Sequence, residues 1–285
     1  MKHSEVLSRY VNSGKHIPEE QYERLTTVLK KSYLRIRSVA GFKDWEYEFI
    51  SDNQRINYIE KKGVKLEKDD AKDLLKYSIN KDLIATKIID VKGENLNYND
   101  INNLLKYSEN KDDIATKIID VKREKWNYTD VDFLLNYSIN KDVIAKKIID
   151  VKGEKLNVYD IVKLVTILKD NEYYIIPFIL KIIDVKGEKL NDFDIHHLLE
   201  HSDNKDKIAI KIIESKGEKL NDYDINQLIK RSENKELIKK TLLQNGVDYK
   251  LINDVITSYN IDTPLIPDDY QSMLQEIRRI KEIMI

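Results

Sequence analysis

The sequence predicts an all-α fold: an α-solenoid of six helix–turn–helix repeats of about 30 residues, flanked by helical N- and C-terminal caps that lie outside the repeat. Three observations predict it. The first is self-similarity. LNYNDINNLLKYSENKDDIATKIIDVKREK (96–125) is preceded by LEKDDAKDLLKYSINKDLIATKIIDVKGEN (66–95) and followed by WNYTDVDFLLNYSINKDVIAKKIIDVKGEK (126–155). LNDFDIHHLLEHSDNKDKIAIKIIESKGEK (190–219) is a further copy, 220–249 is a weaker one, and 156–189 is the same motif lengthened by four residues. The second is the apolar spacing inside each copy, which is helical rather than alternating. The third is the scarcity of breakers: 8 Gly and 4 Pro in 285 residues leave no room for long flexible linkers.

Residues 1–62 precede the repeats. They are richer in aromatic and basic side chains, among them Tyr10, Tyr22, Tyr33, Arg35, Arg37, Phe42 and Trp45. IPEEQYERL (17–25) reads as a helix opening with Pro18 in its first turn and acids behind it. SDNQRINYIEKKG (51–63) reads as a shortened version of the second helix of a repeat. The segment is assigned as an N-terminal cap, with partner docking as the competing reading.

Residues 63–249 form the array, with units starting at 66, 96, 126, 156, 190 and 220. In the unit 96–125, Ile101, Leu104 and Leu105 line one face of a short first helix. Asn97 is its cap and Asp100 an acid in its first turn. Asn127/Asp130, Asn157/Asp160, Asn191/Asp194 and Asn221/Asp224 repeat that start. Asn110 caps a second helix carrying Ile114, Ala115, Ile118 and Ile119, with Asn80, Asn140, Asn171, Asn204 and Asn234 in the same role elsewhere. Lys122 falls in the last turn, where the helix dipole favours a cation. Gly93, Gly153, Gly187 and Gly217 are expected to close the second helices in the left-handed region. Arg123 stands where the others have glycine, at a cost of about 1 kcal/mol if φ there is positive. Helices this short are unstable alone, so each pair buries its stripe by stacking on the next. The recurring Ala85, Ala115, Ala145 and Ala209 mark close helix–helix approach.

The unit 156–189 contains DNEYYIIPFILKII. Its insertion either extends the second helix or bulges between the two, and Pro177 suits a first turn better than a helix interior. Tyr173, Tyr174 and Phe178 either repack the core locally or expose an apolar patch for a partner or for self-association. Residues 250–285 are assigned as a C-terminal cap ending in a helix, since IPDDYQSML (266–274) repeats the pattern of 17–25.

Composition narrows the function. Lys+Arg 49 against Asp+Glu 50 gives a net charge of −1, which argues against a dedicated nucleic-acid or anionic-membrane binder. There is no cysteine, so disulfides, Cys-ligated metals and a Cys nucleophile are excluded. No apolar run approaches the length of a membrane span, and no signal core opens the chain; a cytoplasmic protein, or one assembled there, is the expectation. The heavy use of Lys, Asn, Ile and Tyr matches AT-rich codons and points to a low-GC source such as a bacterium, phage or virus.

Within the array, function belongs where the copies differ. One variable series on the first helix is Asp73, Asn103, Phe133, Lys163, His197 and Gln227; another is Tyr77, Tyr107, Tyr137, Ile167, His201 and Arg231. The two lie four residues apart, on one helical face beside the Ile/Leu stripe. The tyrosines fit either the rim of the core or a binding stripe. Candidate partner-binding residues are therefore Tyr77, Tyr107, Phe133, Tyr137, His197, His201 and Arg231, with Tyr173, Tyr174 and Phe178 from the irregular unit.

Catalytic motifs are missing: there is no glycine-rich phosphate loop, nucleophile elbow or HEXXH. His197 and His201 with Glu200 have metal-compatible spacing but no third ligand in view, so no metal or other cofactor is assigned. The basic strip Lys30, Lys31, Arg35 and Arg37, with Tyr33 between, and the cluster Arg278, Arg279 and Lys281 read as solvated helix faces; phosphate contact is the alternative. The expected function is a non-enzymatic protein-binding scaffold or structural component. A helical-repeat nucleic-acid binder using residues 24–43 and the first-helix face is the alternative.

Overall fold

The computed structural model describes residues 18–25, 27, 30, 50–168 and 172–267. Among these the protein is all-helical, with fifteen α-helices, five single 3-10 turns and no strand. It has the repeated helix–turn–helix order of an α-solenoid. No helix among them is long and apolar enough to cross a membrane.

The chain divides into two compact bodies, Met1–Asn140 and Lys141–Ile285. The first holds α1 (Glu19–Glu23), α2 (Asp52–Lys62), α3 (Lys68–Lys76), α4 (Lys81–Lys92), α5 (Tyr98–Tyr107), α6 (Lys111–Lys122) and α7 (Tyr128–Tyr137). Here first helices pack on first helices, α3 on α5 and α5 on α7, while α2, α4 and α6 form a parallel series of second helices. The second body holds α8 (Lys141–Lys152), α9 (Val158–Leu168), α10 (Glu172–Lys186), α11 (Asp192–Glu200), α12 (Lys205–Lys216), α13 (Asp222–Arg231), α14 (Lys235–Gln244) and α15 (Tyr249–Ser258). Its layers are α9–α11–α13–α15 and α8–α10–α12–α14.

Each pair buries the stripe read from the sequence. Ile101, Leu104, Leu105, Ala115, Ile118 and Ile119 are 0% exposed, and their counterparts in the other units are equally covered. Burying such side chains contributes about 1.5–3 kcal/mol for each large one. The caps also form as expected. Asn97, Asn127, Asn191 and Asn221 each close a capping box with the Asp three residues on. Asn80, Asn110, Asn204 and Asn234 accept from the third amide of the second helices. The glycines after the second helices sit at φ 50–52 at Gly93, Gly153, Gly187 and Gly217, and Arg123 is held at φ 51 in the same place. The 3-10 turn that follows each of those glycines is not formed after Arg123.

Three residues or segments behave differently from the sequence reading. Asp100 and Lys122 are not merely partners of helix dipoles: both types are buried, Asp100 at 0% and Lys122 at 5%. Each such lysine at the end of one unit pairs with the aspartate that opens the next. Lys92–Asp100 is 2.7 Å, Lys122–Asp130 3.0 Å, Lys186–Asp194 2.8 Å and Lys216–Asp224 2.7 Å, and Lys152 pairs with Asp160 in the same way. Secondly, Pro177 is the sixth residue of α10 and not in its first turn, because the insertion lengthens that helix at its N-terminus to 15 residues against 12 in α4. Asn171 lies outside the described residues. Thirdly, Pro18 takes the N-cap position of α1, one residue before the helix begins.

Residues 51–63 do form a second helix. Ser51 and Gln54 close a capping box, and α2 packs on α4. Arg55 occupies the register of Ala85 there; its guanidinium donates to the carbonyls of Ile50 and Tyr77 and pairs with Asp52 at 2.9 Å. Of the N-terminal basic strip only Lys30 is described, 3.5 Å from Glu23 and over the ring of Tyr22. Lys31, Tyr33, Arg35 and Arg37 lie outside the described residues, as do the C-terminal helix expected after Pro267 and its Arg278, Arg279 and Lys281.

Candidate partner-binding surface

The start of every first helix is pinned by several bonds. In α5, Asn97 accepts from the amides of Asn99 and Asp100, while Asp100 Oδ2 accepts from the Asn97 amide at 3.0 Å and from Lys92. Lys92 also donates to the Leu66 carbonyl at 2.9 Å, so one ammonium ties the starts of two consecutive first helices. A buried charge needs this degree of pairing to be tolerated. The first turn of α5 is thereby held in place from both sides of the junction.

Exposed rings stand in the first turns of the first helices at two registers, the first helical residue in the first body and the second helical residue in the other. Tyr98 is 51% exposed, Tyr128 53%, Tyr159 66%, Phe193 63% and Tyr223 51%. The sequence reading passed over them. The ring follows the cap asparagine by one position at Tyr98 and Tyr128 and by two at Tyr159, Phe193 and Tyr223, so it forms no column at a fixed offset. The readable signal is an aromatic one or two residues after each cap asparagine. The ring of Tyr259, just past the C-terminal end of α15, stands T-shaped against Tyr223 at 6.2 Å between centroids.

Charge along this edge cancels laterally. Glu94 pairs with Lys125 at 2.6 Å, Glu154 with Lys189 at 2.5 Å, and Glu188 with Lys219. The hydrogen bond and charge of Lys125 hold the Glu94 carboxyl below its usual range, and Lys189 does the same to Glu154.

The series read from the sequence lie elsewhere on the first helices. Tyr77, Tyr107 and Tyr137 are half-buried. The ammonium of Lys76 lies over the ring of Tyr77, Lys106 over Tyr107 and Lys111 over Tyr137. Tyr137 donates its hydroxyl to Asn102 of the preceding unit at 2.9 Å, and its ring meets Phe133. Asp73 and Asn103, in the register of Phe133, are buried. Phe178, at 9% exposure, turns into the core with Ile175 and Ile179. The side chains of Tyr173 and Tyr174 lie outside the described residues.

His197, His201 and Arg231 come together with His196, Glu200 and Gln227 across α11 and α13. Arg231 donates to Gln227 Oε1 at 2.8 Å and to His196 Nδ1 at 2.6 Å. With Nδ1 accepting, the His196 proton belongs on Nε2, which faces Glu200 at 2.9 Å. The rings of His197 and His201 stack at 6.3 Å. Burial first, then the charge of His196, push the His197 imidazole below its ordinary value. His196, His197 and Glu200 hold ligand atoms within 4.8 Å of one another. The group behind His196 is a donor cation, whereas a metal-bound imidazole normally offers its second N–H to an acceptor. The chemistry of this donor set is that of a polar bridge between two repeats.

No protein-family model, curated protein or solved structure matches the chain.

Proposed function

We propose that the protein is a non-enzymatic scaffold that holds a protein partner along the first-turn edge of its repeat array. The observation that carries this reading is the aromatic row. Large rings are more than half exposed in the first turns of successive first helices, Tyr98 and Tyr128 in the first body and Tyr159, Phe193 and Tyr223 in the second. Tyrosine and phenylalanine supply contact area with little side-chain entropy to lose, and they anchor protein interfaces. Three exposed lysines of the edge, Lys125, Lys189 and Lys219, pair with glutamates. A nucleic-acid reader would need such cations for phosphate.

The test is affinity purification from the native source, run in parallel with the full chain and with a variant carrying Tyr98→Ser, Tyr128→Ser, Tyr159→Ser, Phe193→Ser and Tyr223→Ser. The expected result is a protein held by the former and lost by the latter, with the helical circular-dichroism spectrum unchanged. Retention of the same proteins by both would remove the edge as the binding site.

A further inference from the structure

The second body places Tyr159, Phe193 and Tyr223 on α9, α11 and α13, three first helices packed in succession. Packed helices lie about 8–10 Å apart, so one ring is offered at about that interval. The regular backbones a partner can present have different periods. An α-helix returns to the same face every ~5.4 Å. A β-strand does so every ~6.6 Å. A polyproline II helix has three residues per turn and rises ~3.1 Å per residue, giving a turn of ~9.3 Å. Of the three, only the last falls within the interval of about 8–10 Å at which packed helices follow one another.

The charges fit the same ligand. The lysines and glutamates of the flanking turns pair with each other, Glu154 with Lys189 and Glu188 with Lys219. Asp192 and Asp222 stand beside Phe193 and Tyr223 in the first turns of α11 and α13. Two of the three rings, Phe193 and Tyr223, thus have a carboxylate beside them. Proline-rich segments are recognised by aromatic side chains, and their backbone is extended before binding, which lowers the entropy lost on docking.

We propose that the row Tyr159–Phe193–Tyr223 docks a proline-rich segment of a partner protein in the polyproline II conformation, one turn per repeat, with Asp192 and Asp222 facing Arg or Lys in that segment. This rests on the protein-binding reading above and specifies its partner.

The test is fluorescence anisotropy with the full chain and a labelled oligoproline of about twelve residues, or about four turns, carrying an arginine at each end. Saturable binding is expected, weakened about tenfold or more by the combined Tyr159→Ser, Phe193→Ser and Tyr223→Ser variant, whose melting curve stays at the wild-type position. Equal binding of a Gly/Ser peptide of the same length and charge overturns the proposal, and so does unchanged binding by the variant. The same variant is passed through the native-source purification. Loss of a partner there without any oligoproline binding removes the polyproline ligand and leaves the scaffold reading standing. Retention of every partner together with no oligoproline binding removes both.

Discussion

Lys122, the last residue of one second helix, meets Asp130, in the first turn of the next first helix, at 3.0 Å with side-chain exposures of 6% and 1%. The same ammonium donates to the Leu96 carbonyl at 2.7 Å. The junction between repeats is therefore a buried ion pair set among leucines and isoleucines.

Removing one partner of a buried pair leaves the other charged and unsatisfied, which costs about 3–5 kcal/mol. Lys122→Met should lower the denaturation free energy by that amount. Combining it with Asp130→Asn should recover part of the loss, since the amide keeps an acceptor for the Asn127 amide at the helix start. Urea titration reads both. A loss below ~1 kcal/mol for the single variant would show that the pair does not hold the junction.

Arg123 sits at φ 51, in the place four other units give to glycine. With ψ −115 as well, Arg123 lies outside the left-handed α well, in a sparsely populated region that costs a non-glycine residue about 1–3 kcal/mol. Arg123→Gly removes that strain and should stabilise the chain by ~1 kcal/mol, while Gly93→Arg should cost a similar amount. A shift of opposite sign in either thermal melt contradicts the strain assignment.

The junction ahead of α12 lacks a contact found elsewhere. Asp82 accepts from the Glu109 amide at 2.8 Å, Asp112 from Ile139 at 2.9 Å, and Asp206 from Glu233 at 2.9 Å. Ile176 stands in that register in α10, and the Asn204 amide turns instead to Ser202 Oγ at 3.2 Å. Hydrogen exchange should be faster at Asn204 than at Asn110 and Asn234, whose amides reach Asp82 and Asp206. Ile176→Asp should slow it. Equal protection at the three asparagines would make the missing carboxylate irrelevant.

His197 is held below the ordinary imidazole value of 6.5 by burial and by His196 and His201, with Glu200 and Asp194 opposing. The unfolded chain then takes up the proton more readily than the folded one. Stability from this residue is complete above that value and is lost as pH falls through it toward the folded-state value. His197→Gln should flatten the fall in melting temperature between about pH 7.5 and about pH 5. An identical slope in both proteins would place the pH response elsewhere.

Much of the fold was legible because its signals are local. Asn97 and Asp100 are three residues apart and make their bonds to each other's amides, so the pattern alone implies the helix start. Glycine at 93, 153, 187 and 217 likewise reports a local backbone angle. The exposure of the aromatic side chains was not legible in the same way. Helical periodicity placed Tyr107 and Phe133 beside the apolar stripe, but whether such rings are covered depends on the neighbouring unit. The fixed lysine and aspartate at the ends of adjoining helices carried a readable hint. Surface charges serving only a helix dipole have little reason to recur unchanged in five junctions.

The sequence by itself determined the repeat, its helices, their caps and the strained Arg123, since each follows from contacts within a few residues along the chain. Stacking alone decided which of the recurring polar groups became buried pairs and which aromatics stayed in solvent. A residue's angle about its own helix is set by its number, but its exposure is set by what the next helix lays against it. That is why Lys122 is inside the protein and Tyr128, six residues on, is outside.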